Sequence, residues 1–110
     1  MKELAVVILN YNGKKWLEKF LPNVLTCTSS ELSEVIVADN GSTDESVSFM
    51  KTQFPAVRLI ELGVNTGYAG GYLKTLDTLH HPFFCMLNSD VEVTPYWDEA
   101  VLTFMKSTPE

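Results

Sequence analysis

Four short, largely apolar runs, residues 4–9, 34–38, 57–62 and 83–87, punctuate the chain, and each stops abruptly at polar or glycine-rich residues. Runs of this length bounded by turn formers have the pattern of strands buried on both faces. Between them apolar residues recur at helical spacing. Trp16, Leu17, Phe20, Leu21 and Val24 predict a helix from residue 14 to about 25, which Pro22 should shorten or kink. Val47, Met50 and Phe54 predict a second over residues 43–54, with Ser42 as its cap and Glu45 completing a capping box. Tyr72 and Leu76 predict a third over residues 68–79, and a fourth should start with Thr94 as cap and Pro95 in its first position, turning Trp97, Val101, Leu102 and Met105 inward. Strands that alternate with helices through right-handed crossovers form a mostly parallel, Rossmann-like α/β sheet.

Composition narrows the class. A chain of 110 residues with 45% apolar content can form one modest core. A net charge of −6 and a pI near 4.8 argue against a phosphate-coating nucleic-acid binder and a polybasic membrane patch. No apolar run approaches the roughly 20 residues of a membrane span, and Met1-Lys2-Glu3 leads straight into a strand, so the cytoplasm is the expected compartment. Cys27 and Cys85 are too far apart for a CxxC metal site and read as reduced thiols. His80 and His81 lack a third ligand and read as a solvated loop pair.

The chemistry lies where the strands stop. In an open α/β sheet the carboxyl ends of the strands border the ligand crevice, and here they offer Asn10-Tyr11-Asn12-Gly13, then Asp39-Asn40-Gly41-Ser42, then Asn65-Thr66-Gly67-Tyr68-Ala69-Gly70-Gly71, then Asn88-Ser89-Asp90. Tyr11 can stack on a base or serve as a partly buried core tyrosine. Asp39 can accept a hydrogen bond from the N3–H of uracil or thymine, which cytosine lacks, or cap the helix that follows. Asn65, Gly67, Gly70 and Gly71 open a helix with small residues, which lets backbone amides approach a phosphate or simply makes a turn. Neither G-x-G-x-x-G nor a G-x-x-x-x-G-K-[ST] phosphate loop occurs. Strand alternation would let Asn88 and Asp90 face one point as hard oxygen ligands for Mn or Mg; the plainer alternative is an Asx turn closing the strand.

In order and spacing, residues 6–13, 37–44, 65–71 and 87–90 resemble the N-terminal half of the family 2 glycosyltransferases, especially the rhamnosyltransferase-like members. The resemblance covers nearly the whole chain. It implies a GT-A fold that binds a UDP- or dTDP-linked sugar. Asn10 would belong to the nucleotide site, Tyr11 and Asn12 would border the base, Asp39 would read its edge, and residues 65–71 would lie near the diphosphate. Asn88 and Ser89 would complete the nucleotide site, and Asp90 would be the last position of the DxD metal motif, with Asn88 in place of its first acid. The implied reaction is an in-line displacement with inversion, assisted by a divalent ion, onto a carbohydrate or lipid-linked acceptor.

The chain is expected to be the nucleotide-sugar-binding portion, residues 1–110, of a larger domain whose C-terminal part supplies the acceptor groove and base; Asp98 and Glu99 read as the solvated first turn of the last helix. Apolar surface left uncovered would favour self-association. Two readings stand beside this one: a truncated nucleotide-binding or self-associating module without activity, and a dinucleotide-binding domain with Asp39 on the ribose.

Overall fold

A computed structural model describes residues 2–107. Its elements follow the order β1 (Leu4–Asn10), α1 (Lys14–Cys27), β2 (Ser33–Asp39), α2 (Ser46–Gln53), β3 (Arg58–Glu61), α3 (Gly67–Leu76), β4 (Phe83–Asn88) and α4 (Trp97–Ser107). The four strands form one parallel sheet in the order β3-β2-β1-β4. The βαβ alternation predicted from the apolar runs is therefore observed.

Residue parity divides the sheet into two faces. Leu4, Val6 and Ile8 of β1, with Val35 and Val37 of β2, pack under α1, α2 and α4 through Leu17, Leu21, Val24, Met50 and Leu102. Ala5, Val7, Ile36 and Ala38 face the other way, onto Tyr72 of α3 and Leu79 just beyond it. A single helix cannot cover four strands, and Met86 of β4 is left exposed.

The helix boundaries depart from expectation for local reasons. α1 runs unbroken through Pro22, which lies on its exposed side, where water can satisfy a carbonyl freed by the missing N–H. α2 begins at Ser46, not Thr43, and no side chain caps it, so the Ser42–Glu45 capping box does not form. Ser42 spends its hydroxyl on Asp39 instead, at 2.6 Å. Asp44 receives the amides of Ser46 and Lys14 at 2.9 and 3.2 Å. Slight burial works to raise its carboxyl pKa, but these bonds outweigh that and hold it below the usual range. α4 starts at Trp97 because Tyr96, at φ 65°, breaks the turn that Thr94 and Pro95 would have opened.

Two polar residues expected in solvent are buried. Asp98 accepts from the Ser33 hydroxyl at 2.6 Å and the Ser29 amide at 2.9 Å, tying the start of α4 to the first residue of β2 and the loop before it. His81 sits 2.9 Å from Glu34 through Nε2, beneath the rim where Arg58 also reaches Glu34. Cys85 is a free thiol that burial pushes up in pKa.

Gly71 marks where α3 meets the sheet: a Cβ there would lie 2.8 Å from Leu9 Cδ1 and 2.9 Å from Asn40 Nδ2. Gly71→Ala should therefore lower the unfolding free energy by about 1–3 kcal/mol in urea denaturation, the usual cost of overpacking. Leu73→Ala, on the exposed side of the same helix, should stay within about 0.5 kcal/mol of the parent.

Candidate nucleotide site at the carboxyl edge of the sheet

The ends of β1 and β2 lie side by side with Asn10 paired to Asp39, both on the α1/α2 face. Asp39 is only 3% exposed, and no lysine, arginine or histidine pairs with it among the described residues. Neutral donors hold it. Asn10 Nδ2 donates to Oδ1 at 3.1 Å, the Ser42 hydroxyl to Oδ1 at 2.6 Å and the Ser42 amide to Oδ2 at 2.9 Å. Oδ1 is thus filled, while Oδ2 keeps one acceptor position. The sequence offered base reading or helix capping for Asp39; the structure uses it to fold the 39–42 turn, one step before α2.

Asn10 lies beneath this carboxylate, 1% exposed, with its Oδ1 buried and unpartnered. Of the residues expected in the nucleotide site, it is the one set one layer deeper, under Asp39. A Cβ on Gly13 would stand 2.5 Å from that oxygen, so the last residue of the loop before α1 must be small. Asn12, in the left-handed region at φ 51°, accepts through Oδ1 from the amides of Thr43 and Asp44 at 2.7 and 3.1 Å. It staples the β1 loop to the β2 loop.

The opposite parity carries a second network. Asn40, 2% exposed, turns to the α3 face and donates to Asn65 Oδ1 at 3.2 Å and Gly67 O at 3.0 Å, and accepts from the Thr66 amide at 3.2 Å. Asn65 Oδ1 also takes the Gly67 amide at 2.8 Å, which closes a turn with Gly67 at φ 82°. Gly41, at φ 81°, has the Val64–Asn65 backbone 2.8 Å from where its Cβ would be. The 65–71 segment is therefore held from below by Asn40. Of its glycines Gly67 is exposed, Gly70 packs near Thr66, and Gly71 is buried against β1.

Asn40 was not singled out from the sequence. The signal was available: Asp39 and Asn40 are neighbours at a strand end, so they must serve opposite faces.

Between the loops lies a crevice of about 250 Å³, lined by Leu9, Tyr11, Asn40, Asn65, Gly67 and Tyr68. Tyr11 is 48% exposed, which places its ring at the mouth and not in the core. A larger depression of about 550 Å³ runs between α1 and α2, past Lys14, Phe49 and Phe54. It touches none of the strand-end residues expected to carry the chemistry. On the other flank, Asn88 pairs with Leu9 across β1 and β4, and its Oδ1 accepts from the Tyr68 hydroxyl at 3.0 Å. The strand ends there, and Ser89 and Asp90 form a turn, so the alternation expected to aim Asn88 and Asp90 at one point stops with it. Among the described residues no three His, Cys, Asp or Glu side chains form a metal cluster.

The family model described as Glycosyl transferase family 2 matches residues 5–110. The chain belongs to that family. A rhamnosyltransferase of Mycobacterium tuberculosis, named for N-acetylglucosaminyl-diphospho-decaprenol, is 37% identical over 69% of this glycosyltransferase-family chain. A teichoic acid poly(glycerol phosphate) polymerase of Staphylococcus epidermidis is 28% identical over 87%. The chain spans 24% and 14% of those relatives' lengths. S. aureus TarS residues 1–349, solved with UDP-GlcNAc, superposes with a TM-score of 0.80 at 20% identity over 97% of this chain and 32% of that one. The mannosyltransferase PcManGT from Pyrobaculum calidifontis, solved with GDP-Man and Mn2+, gives 0.70 at 22% identity over 80% and 27%. Those superpositions establish the GT-A-type α/β fold expected from the resemblance.

Within this family member the two asparagine anchors should be separable. Asn40→Ala should speed amide hydrogen exchange across residues 63–70 and cost about 1–3 kcal/mol, the penalty of stranded buried partners. Exchange in residues 10–13 should change little, because Asn12 and Ser42 hold that loop independently.

Proposed function

We propose that this chain is the donor-binding portion of a family 2 glycosyltransferase that transfers a sugar from a UDP- or dTDP-linked donor to an acceptor hydroxyl, with inversion, in cell-wall glycan synthesis. One observation carries the reading: a buried, neutral-donor-bound carboxylate with one acceptor position left lies beside an exposed tyrosine at the carboxyl edge of a parallel sheet. A uracil or thymine ring on Tyr11 would bring its N3–H toward Asp39 Oδ2. The relatives' names support the glycan setting, since one is a rhamnosyltransferase and the other makes teichoic acid. The neighbours solved with UDP-GlcNAc and UDP support the donor class.

The diphosphate belongs next to the 65–71 turn, whose small residues admit an oxygen near the start of α3. Asp90, an exposed carboxylate just past the end of β4, is a hard oxygen group of the kind that suits a divalent ion such as Mn or Mg, with Ser89 and Asn88 next to it in sequence. When bound, such an ion neutralises charge developing on the departing nucleoside diphosphate. One acid alone binds it weakly, so metal and nucleotide should bind with positive coupling. The neighbour solved with GDP-Man and Mn2+ supports that cofactor class.

The proposal assigns the acceptor, carbohydrate or lipid-linked, and the catalytic base to parts of the protein outside this chain. Both relatives extend well beyond the segment they share with it. The cytoplasmic location and self-association through uncovered apolar surface belong to the same proposal. Among the described residues no helix is long and apolar enough to cross a membrane.

Calorimetric titration tests the base assignment. Asp39→Asn keeps the side-chain volume but replaces one oxygen with a donor, and should weaken UDP and dTDP binding by about tenfold or more, the worth of a charge-assisted hydrogen bond. CDP should lose much less. Equal losses for all three would reduce Asp39 to a turn residue.

Asp90→Asn should abolish the gain in UDP affinity that Mn gives the parent while leaving the melting temperature in place. A mutant that keeps the full Mn-dependent gain would remove Asp90 from the metal site.

A further inference from the structure

Between the end of β4 and the start of α4 the chain runs through residues 89–96 without helix or strand, and Asp90 is carried on that stretch. Its far end is anchored: the Trp97 indole donates to the Thr28 hydroxyl at 2.9 Å, and Asp98 accepts from Ser29 and Ser33. Its near end is anchored by β4, where Asn88 pairs with Leu9 of β1. The middle is held from α1. Asn23 Oδ1 accepts from the Val93 amide at 2.7 Å, and Asn23 Nδ2 donates to the Val93 carbonyl at 3.1 Å.

One side-chain amide thus satisfies both backbone groups of Val93, as a neighbouring strand would. The pairing fixes the amide's orientation, since exchanging its oxygen and nitrogen would set donor against donor and acceptor against acceptor. Nδ2 also reaches Cys27 Sγ at 3.5 Å, one turn along the helix. The Val93 side chain packs against the core cluster that includes Leu17, Leu21 and Val24. Val93 is therefore pinned through backbone and side chain together. Residues 89–92, Asp90 among them, bridge two fixed points, Asn88 and Val93. Without Asn23 the next hydrogen bond from this stretch to another element, among the described residues, is the one Trp97 makes.

We propose that Asn23 is a positioning residue for the donor site: from the middle of α1 it fixes the segment after β4 and so sets where Asp90 stands at the carboxyl edge of the sheet. This rests on the donor-binding function proposed above, with Asp90 as its divalent-ion carboxylate. A single acid gains little from an ion if its loop must first be ordered, and a loop already held in place avoids that cost. Asn23 touches neither the crevice nor Asp90 and acts only through Val93.

Mn binding to the UDP-loaded protein, followed by electron paramagnetic resonance, tests it beside UDP titration in EDTA and amide hydrogen exchange. Asn23→Ala should weaken Mn binding about three- to tenfold, the cost of ordering one or two residues on binding, and leave UDP affinity in EDTA within about twofold, the allowance for an uncoupled site. Exchange should quicken at Val93 and stay unchanged in residues 10–13. Asn23→Asp keeps the side-chain volume and the bond from the Val93 amide but sets an oxygen against the Val93 carbonyl; it should act in the same direction and serves where the alanine variant does not fold. Leu79→Ala opens the core on the other face of the sheet and should lower the melting temperature without moving Mn affinity by more than about twofold, which separates positioning from lost stability. Where Asp90 is already asparagine, Asn23→Ala should weaken Mn binding no further. Full Mn affinity in Asn23→Ala, additive losses in the double variant, an equal Mn loss in Leu79→Ala, or an equal loss of UDP affinity in EDTA would overturn this inference alone. No UDP binding by the parent, or a Mn-dependent gain that Asp90→Asn leaves whole, would overturn it together with the reading beneath it.

Discussion

The carboxylate of Asp39 ends a buried strand with its charge held by an amide side chain, a hydroxyl and a backbone N–H, and the geometry of the whole carboxyl edge follows from that arrangement. Removing a carboxylate from water costs several kcal/mol, and three donors return about 1.5–3 kcal/mol each when the acceptor is charged. The two sides nearly balance, so the contribution to stability is small and the contribution to shape is large. Asn10 must lie under Asp39 to donate, Gly13 must be small to leave room for Asn10, and Ser42 must turn inward instead of capping α2. Asn12 can then close the two loops over one another.

The other parity at the same strand ends is organised by Asn40, which carries no charge and fixes the segment that opens α3. The crevice thus has two independently built walls. One presents Tyr11 at the mouth, with the Asp39 carboxylate buried behind it. The other presents an exposed glycine turn and, beyond it, Tyr68 and Asn88, suited to oxygens. Their separation lets a binding site tolerate change on one side without collapse of the other.

Much of this was legible in the sequence. Apolar runs bounded by turn formers gave four strands in nearly their observed positions, although only the central β1 and β2 are buried along most of their length and the edge strands β3 and β4 are partly exposed. The candidate site residues lie at or just beyond the carboxyl ends of the strands, the edge that an open α/β sheet turns to ligands. Helix starts were less legible, because each depended on a long-range competitor: Ser42 had Asp39 to bond, and Thr94 and Pro95 were followed by Tyr96 in a left-handed conformation. Buried Asp98 and His81 were misread for a related reason, since their partners Ser33 and Glu34 lie 65 and 47 positions away. The partition of Asp39 and Asn40 between two faces was implicit in strand alternation. The Tyr68–Asn88 bond was not, because nothing in the order of residues reports the tilt of α3 over β4.

The central claim is that the nucleotide sits at the carboxyl edge of the sheet, between the loops that Asp39 and Asn40 organise. Titration of the 15N-labelled chain with UDP, followed by amide chemical shifts, tests it most directly. Saturable shifts concentrated in residues 11–12, 39–42, 65–68 and 88–90 are the predicted result. Shifts centred instead on Lys14, Phe49 and Phe54, around the roomier depression between α1 and α2, would contradict it.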